Sequence, residues 1–553
     1  MRPRLSSLLA LSLALTCCHA MADADLPELQ AQARQGNATA ALRLGQAYLY
    51  GNGVAADPAQ AALWLGQAAA GGDARAELLL GTLYLCDSCG LHDAERAGQL
   101  LRQAAAAGSP EAATRLGDMY RDGEGVTRDY AQALVWYRQA AAQDSGEAEY
   151  AIALMTEHGR GTATDYVAAR HGYEKALADG YAPASVMLGQ LYENGLGVPH
   201  DYARALALFR APAEQGLALA QTKMGSMYEL GYGVPVDHVQ ADYWYGLAAR
   251  QGFADAQLRL GAACQQGLGV AVDYAAAAHW YRLAAAQGNA EAQLQLAGLL
   301  AEGMGVARDL GAAAGLLQAA AGQGNADAEA ELGGFYLLGL GLPADPALGL
   351  DWTQKAEAQG SAIALHNLAY AYHKGLGVRR DEARSLLLEQ QAAAKGVAPA
   401  FEGLGEHYER GEGAATDLAA ALRWYQQGAD RDDSDAQYHL GLLYAAGRGT
   451  TADAGQARRW MLAAARQAHP GALIWLAGQL AAGGQPELAD AYYRMALASL
   501  DNLALGPESG GQDAGASARQ TLEATLSEEQ RHTAETIASH WQPDTELPAG
   551  NGR

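Results

Sequence analysis

The chain has 553 residues, half of them hydrophobic but only 7% aromatic, with four Phe. Its hydrophobic share is inflated by Ala, and 67 Gly run through it beside 16 Pro, a composition that packs thin helix-on-helix layers and excludes an all-β protein. The 38 Lys and Arg against 62 Asp and Glu give a net charge of −24, which argues against a nucleic-acid partner, because neutralising a phosphate backbone needs a basic surface.

In chain order, the first feature is an address. Arg2 and Arg4 precede an apolar run from Leu8 to Leu15, and Ala20 and Ala22 lead into Asp23. That order predicts a secretory signal peptide over 1–22, cleaved after Ala22 and too short to span a membrane. No later stretch reaches the ~18 uninterrupted apolar residues of a membrane helix. The mature chain is therefore expected in the periplasm or outside the cell, without a transmembrane span. Cys17 and Cys18 leave a lipid anchor open as a second reading, although Thr16 or Cys17 stands where a lipoprotein signal wants Gly or Ala.

Residues 23–36 predict a lone N-terminal capping helix. From there one period takes over. The Ala at 40 recurs every 36 residues as far as Ala472, 13 times in all, and an Asp recurs 12 times from Asp57 to Asp453. In 11 of those 12 units a Gly-x-Gly precedes the Asp. Within a unit, Ala40, Leu44, Ala47 and Tyr48 form one helical stripe that must be buried. Gly51 ends this helix in the left-handed region, and Asp57 sits where an N-cap accepts backbone N–H groups. A second helix then presents Ala61, Trp64, Ala68 and Ala69. Neither helix buries its stripe alone, so residues 37–504 predict an all-α, right-handed α-solenoid of about thirteen 36-residue hairpins, the last degenerate.

Beyond the repeats, Gly506 to Ala518 make 505–525 a linker by composition. Ser527 and Gln530 open a helix over 526–542 with a capping-box pattern, docked by Ile537 and Trp541. Residues 543–553 are expected to be a disordered tail.

The repeat consensus, clearest in Leu116-Gly117, Tyr120, Gly123, Gly125, Val126, Asp129, Ala133 and Trp136, resembles the Sel-one-like repeat (SLR) family, relatives of the tetratricopeptide repeats. The resemblance spans residues 37–504. It implies adaptor work between proteins, or between protein and glycan, in bacterial envelopes and in eukaryotic quality-control complexes, and it identifies no partner.

Chemistry has little foothold. The glycine pairs follow helices rather than strands, so they are turn residues and not a nucleotide loop. The periodic Asp are explained as N-caps. No zinc spacing, H-E-x-x-H or G-x-S-x-G occurs, so no catalytic, cofactor or metal residue is predicted and the protein is read as non-enzymatic. Cys86 and Cys89, which replace the glycine turn of the second unit, are expected to form a local disulfide.

A binding site should lie where repeats differ. Positions equivalent to 39, 43, 46 and 50 face away from the core stripe and would line a concave surface. There Arg115, Lys223 and Arg259 make a broken basic ladder. His366, Asn367, Tyr370 and His373 crowd polar and aromatic groups onto one helix, and His439 joins them in the 43 position. The expected function is an exported scaffold that binds proteins in a bacterial envelope, with an anionic polysaccharide as another candidate ligand. Two alternatives remain: a scaffold of an exopolysaccharide export or biosynthesis complex, and a β-lactam-binding or hydrolysing relative of cysteine-rich repeat proteins.

Overall fold

The structure is a computed structural model that describes residues 26–502, 510–541, 543 and 545–548. The expected signal peptide, its cleavage site, Cys17 and Cys18 lie outside them. The described residues form 29 α-helices and no strand, and none of these helices is long and apolar enough to cross a membrane.

The chain divides into two compact units at residue 272. The first opens with the helix Leu26–Arg34, continues through six hairpins from Ala38–Tyr50 paired with Pro58–Ala70, and ends on the helix Ala254–Gln266. The second starts with Tyr274–Ala286 and runs through hairpins eight (Ala290–Glu302, Leu310–Gly322) to thirteen (Pro470–Ala482, Pro486–Asn502). It closes with Gly510–Glu523 and Glu528–His540. Hairpins are numbered by the 36-residue period.

The period explains the elements. Ala40, Leu44 and Ala47 are buried as the stripe requires, and each periodic Asp, from Asp57 to Asp453, caps a second helix with its side chain. The same residue closes the corner with its backbone: the Asp129 N–H donates to the Tyr120 carbonyl, and the Asp309 N–H to that of Leu300. One residue thus serves both ends of the turn.

Two positions differ from the sequence reading. The residue after the Trp position is the true core plug. Trp64 and Trp460 are buried as expected, but Tyr137, Tyr245 and Tyr425 are fully buried, whereas the neighbouring Trp136, Trp244 and Trp424 are only half-buried. The small residue on the first helix makes room for this plug, since a methyl at Gly117 would lie 2.4 Å from the Tyr137 ring. The second glycine of each turn also does more than turn. A methyl on Gly125 would meet Ala94 at 2.5 Å, so the corner of one hairpin rests on the start of the preceding hairpin's second helix.

The carboxyl end departs from expectation as well. Inside the 505–525 linker lies the helix Gly510–Glu523. Arg519 on this helix bonds both Glu523 and the buried Asp490 of hairpin thirteen, tertiary bonding that the Gly-rich composition does not reveal. The tail expected to be disordered is partly seated: the Tyr492 hydroxyl donates to the Pro548 carbonyl at 3.1 Å, and Leu547 packs on the last hairpin. The capping box at Ser527 and Gln530 forms with both of its bonds.

Candidate functional site

The first helices carry several charged residues that are half-buried. Many are desolvated although partly open to solvent. Burial raises the carboxyls of Glu147, Glu331 and Glu402 above the usual range. These three carboxyls are half-buried on the first-helix face, and that face is the candidate recess.

In the first unit, the three cations read as a basic ladder are all engaged. Arg115 Nη1 bonds Asp118 at 2.9 Å and Nη2 bonds Glu147, on the next hairpin, at 3.1 Å. Lys223 Nζ reaches back to Glu193 of hairpin five at 2.8 Å, and Arg259 lies 3.7 Å from Glu229 of hairpin six. The acids also collect the hydroxyls of core tyrosines: Asp118 accepts from Tyr137 at 2.8 Å, and Glu229 from Tyr245. Each of these three cations thus stands beside an acid of a neighbouring hairpin, Arg259 the most exposed of them.

The second unit is built differently. Along hairpins nine to thirteen histidines join Lys and Arg as partners of the acids. His366 Nδ1 faces both oxygens of Glu389 at 3.1 and 3.2 Å, His439 Nε2 lies 3.6 Å from Glu402, and His469 Nε2 is 3.0 Å from Asp435. Glu389 occupies the plug position that Tyr425 fills one hairpin later, and it is 4% exposed. Its room comes from Gly403, where a methyl would approach the carboxylate to 2.8 Å. Of the other residues singled out on this helix, Asn367 donates to the Ala330 carbonyl at 2.8 Å, and Tyr370 lies under the Lys374 ammonium at 5.7 Å. His373 turns to the corner and bonds Glu382 at 2.8 Å. The four residues therefore meet separate partners, with His373 alone turned to the corner.

Glu402 and Glu406, one turn apart on the helix Ala398–Arg410, face His439 from the next hairpin. Burial, then the charges of Glu406, Asp435, Asp433 and Glu389, push Glu402 well up. Burial lowers His439 against the pull of Glu406, Glu409 and Asp435. The sequence reading passed over Glu402 because it stands at position 42, outside the scanned columns, and it did not single out Glu406 at position 46. A second group joins His373, Glu382 and Glu412, but Arg380 bonds both carboxylates. Burial works against ionisation of Glu382, yet His373 and Arg380 hold it below the usual range.

A Ser–His pair also exists. Ser385 Oγ is 3.1 Å from His407 Nε2 and 2.9 Å from the Ala369 carbonyl. Both side chains are buried in positions that hold Ala in hairpin one, so no substrate reaches the hydroxyl. The Sγ atoms of Cys86 and Cys89 are bonded, with Cα atoms 5.4 Å apart, and Gly90 at φ +70° supplies the left-handed turn.

The Sel1 repeat model matches twelve times, in ten contiguous 36-residue blocks from 38–73 to 362–397, then at 402–433 and 434–469. Among solved structures, the chain is similar to an SLR-fold protective antigen present in uropathogenic Escherichia coli strains. The identity is 30%, covering 93% of this chain and 93% of that one, with a TM-score of 0.55. It is also similar to a Sel1 repeat protein from Oxalobacter formigenes, at 30% identity, covering 62% and 89% respectively, with a TM-score of 0.42. A Sel1 repeat protein from Klebsiella pneumoniae shares 26% identity over 36% of this chain and 97% of its own, with a TM-score of 0.28. No curated protein matches the chain.

Proposed function

Because the chain belongs to the Sel1 repeat family, whose members mediate protein–protein interactions, we propose that it is an exported adaptor of a bacterial envelope that grips a basic protein segment in the recess of hairpins nine to thirteen. The observation that carries this reading is the contrast between the two units. In the first, Arg115, Lys223 and Arg259 are spent on neighbouring acids. In the second, Glu331 and Glu402 are raised by burial on the first-helix face that also carries Glu406, Asp435, Tyr370 and Tyr438, with His439 beside Glu402, Arg410 on Glu406 and His469 on Asp435.

Carboxylates beside aromatic rings suit Lys and Arg side chains, which offer charge and a flat or apolar stem together. An acidic polysaccharide would be repelled by the same groups. Export is supported by the leader-like start of the sequence and by the Cys86–Cys89 bond, which suits an oxidising compartment. The likeness to a protective antigen of uropathogenic E. coli fits that location. The dry Ser385–His407 pair supports a binding role over catalysis.

Crosslinking in intact cells tests the reading. The double reversal Glu331→Lys and Asp435→Lys should lose the crosslinked partner while helicity is unchanged, and Arg115→Glu should keep it. Retention of the partner by the double variant would place the site elsewhere. Fractionation that leaves the chain in the cytoplasm would remove the export part.

A further inference from the structure

We propose that Glu402, Glu406 and His439 form a binding site for a divalent transition-metal ion of the zinc class. The three donor atoms lie within 4.8 Å of one another, and small side-chain rotations bring such a set to the ~2.0–2.2 Å of metal coordination. Two carboxylate oxygens and an imidazole nitrogen are the mixed donors that zinc-class ions take, whereas calcium and magnesium prefer oxygen alone.

The repeat itself shows what this place lacks. Lys223, Arg259 and His439 stand at the same position of their hairpins, and each reaches back to an acid of the preceding one. Lysine and arginine bring a permanent charge to that acid. At the third place the residue is an imidazole, which carries no permanent charge, and the preceding helix offers two carboxylates. A fixed cation is replaced by a set of ligands.

The ring is also oriented. His439 stacks on Tyr425 with centroids 5.1 Å apart and planes 10° from parallel, and Tyr438 meets its edge, so its Nε2 is held toward Glu402. The Tyr425 hydroxyl is anchored on Glu409 at 2.9 Å. Arg410 bonds one oxygen of Glu406 from a half-exposed position, and the second oxygen is left for the ion. In the other three-residue group, Arg380 spans Glu382 and Glu412 and supplies the cation. Three protein donors leave a coordination position toward the recess.

Metal binding is read on the chain alone, so this inference stands apart from the adaptor reading. The untagged, chelator-stripped full chain is titrated with Co²⁺, followed by visible absorption, and with Zn²⁺ in competition with a chromophoric chelator. One tight equivalent is expected. Glu402→Gln and His439→Gln should each weaken it at least about tenfold, with helicity unchanged by circular dichroism, and His373→Gln should leave it intact. His439→Cys should keep binding and add a cobalt–thiolate charge-transfer band. The proposal is overturned if neither ion binds, if the two Gln variants bind like the parent, if His373→Gln removes the site, or if His439→Cys binds without that band.

Discussion

The buried Glu389 carboxylate meets the His366 imidazole at 3.1 and 3.2 Å, in a core position that most other hairpins give to Leu, Tyr, Phe or Met. Losing one partner of a buried pair leaves the other uncompensated, whereas an apolar replacement of similar size often costs little. His366→Ala should therefore destabilise the chain by about 3 kcal/mol. Glu389→Leu, the residue type at Leu65, Leu101 and Leu317, should stay within about 1 kcal/mol of the parent. Urea unfolding compares them, and a larger loss for Glu389→Leu would mean that the pair stabilises more than it strains.

The same pair predicts a pH window. Burial tends to lower the His366 pKa, but the bond and charge of Glu389, with Asp433 and Glu331, raise it above 6.5. A group raised on folding contributes stability that is fully present below its unfolded value and is lost as pH rises through the folded one. The stability gap between parent and His366→Ala should be widest below pH ~6 and shrink as pH climbs past the folded value. An NMR titration of the His366 ring fixes that value directly, and a midpoint below 6.5 would refute the sign.

Asp242 also costs stability as pH rises, but because its charged form is disfavoured rather than because a charged pair is lost. Burial, opposed by His238 and helped by Glu229, pushes its carboxyl up to about 6. Its Oδ2 has no hydrogen-bond partner, and a methyl at Gly269 would lie 2.7 Å from it. The folded chain then holds this proton more tightly than the unfolded one, so stability falls between pH 3.8 and about 6. Asp242→Asn should match the parent near pH ~4 and exceed it above pH ~6. Thermal melts at both pH values decide, and an equal difference at each would mean that ionisation is not the cause.

Two glycines separate strain from contact. Gly324, at φ +84°, has open space where a methyl would stand, so Gly324→Ala should cost about 1 kcal/mol from backbone strain alone. Gly341, at φ +63°, would bring the methyl to 2.2 Å from the Leu310 carbonyl oxygen. Gly341→Ala should cost clearly more, about 3 kcal/mol or above. Equal losses in denaturant unfolding would remove the packing role assigned to the second turn glycine.

The repeat made the scaffold legible, because twelve copies of one Asp, 11 of them preceded by Gly-x-Gly, mark the same turn. What stayed hidden lies one residue or one hairpin away. Trp136 is the more conspicuous residue, but Tyr137, about 100° further around the helix, is the one that fills the core. Arg115 and Glu147 are 32 residues apart in the chain, and Lys223 and Glu193 are 30 apart. Reading one column of the repeat at a time shows their signs but not their pairing. Glu402 and Glu389 sit in columns that are structural or unremarkable elsewhere, and Glu406 in a surface column gains its meaning from them, so only the packed neighbours reveal the acidic recess. The helix Gly510–Glu523 was hidden by its own composition, since its anchor, Asp490, lies in the last hairpin.

Each corner glycine that leans on the hairpin before it sets a rule for how such a gene can change. Removing or duplicating a whole 36-residue block within a unit gives every corner an equivalent neighbour to rest on. A block one residue shorter would turn the next helix by about 100° and strand its glycine against a side chain. Recombination between repeats can therefore lengthen or shorten this protein only in complete steps, and divergence is channelled into the side chains of the recess.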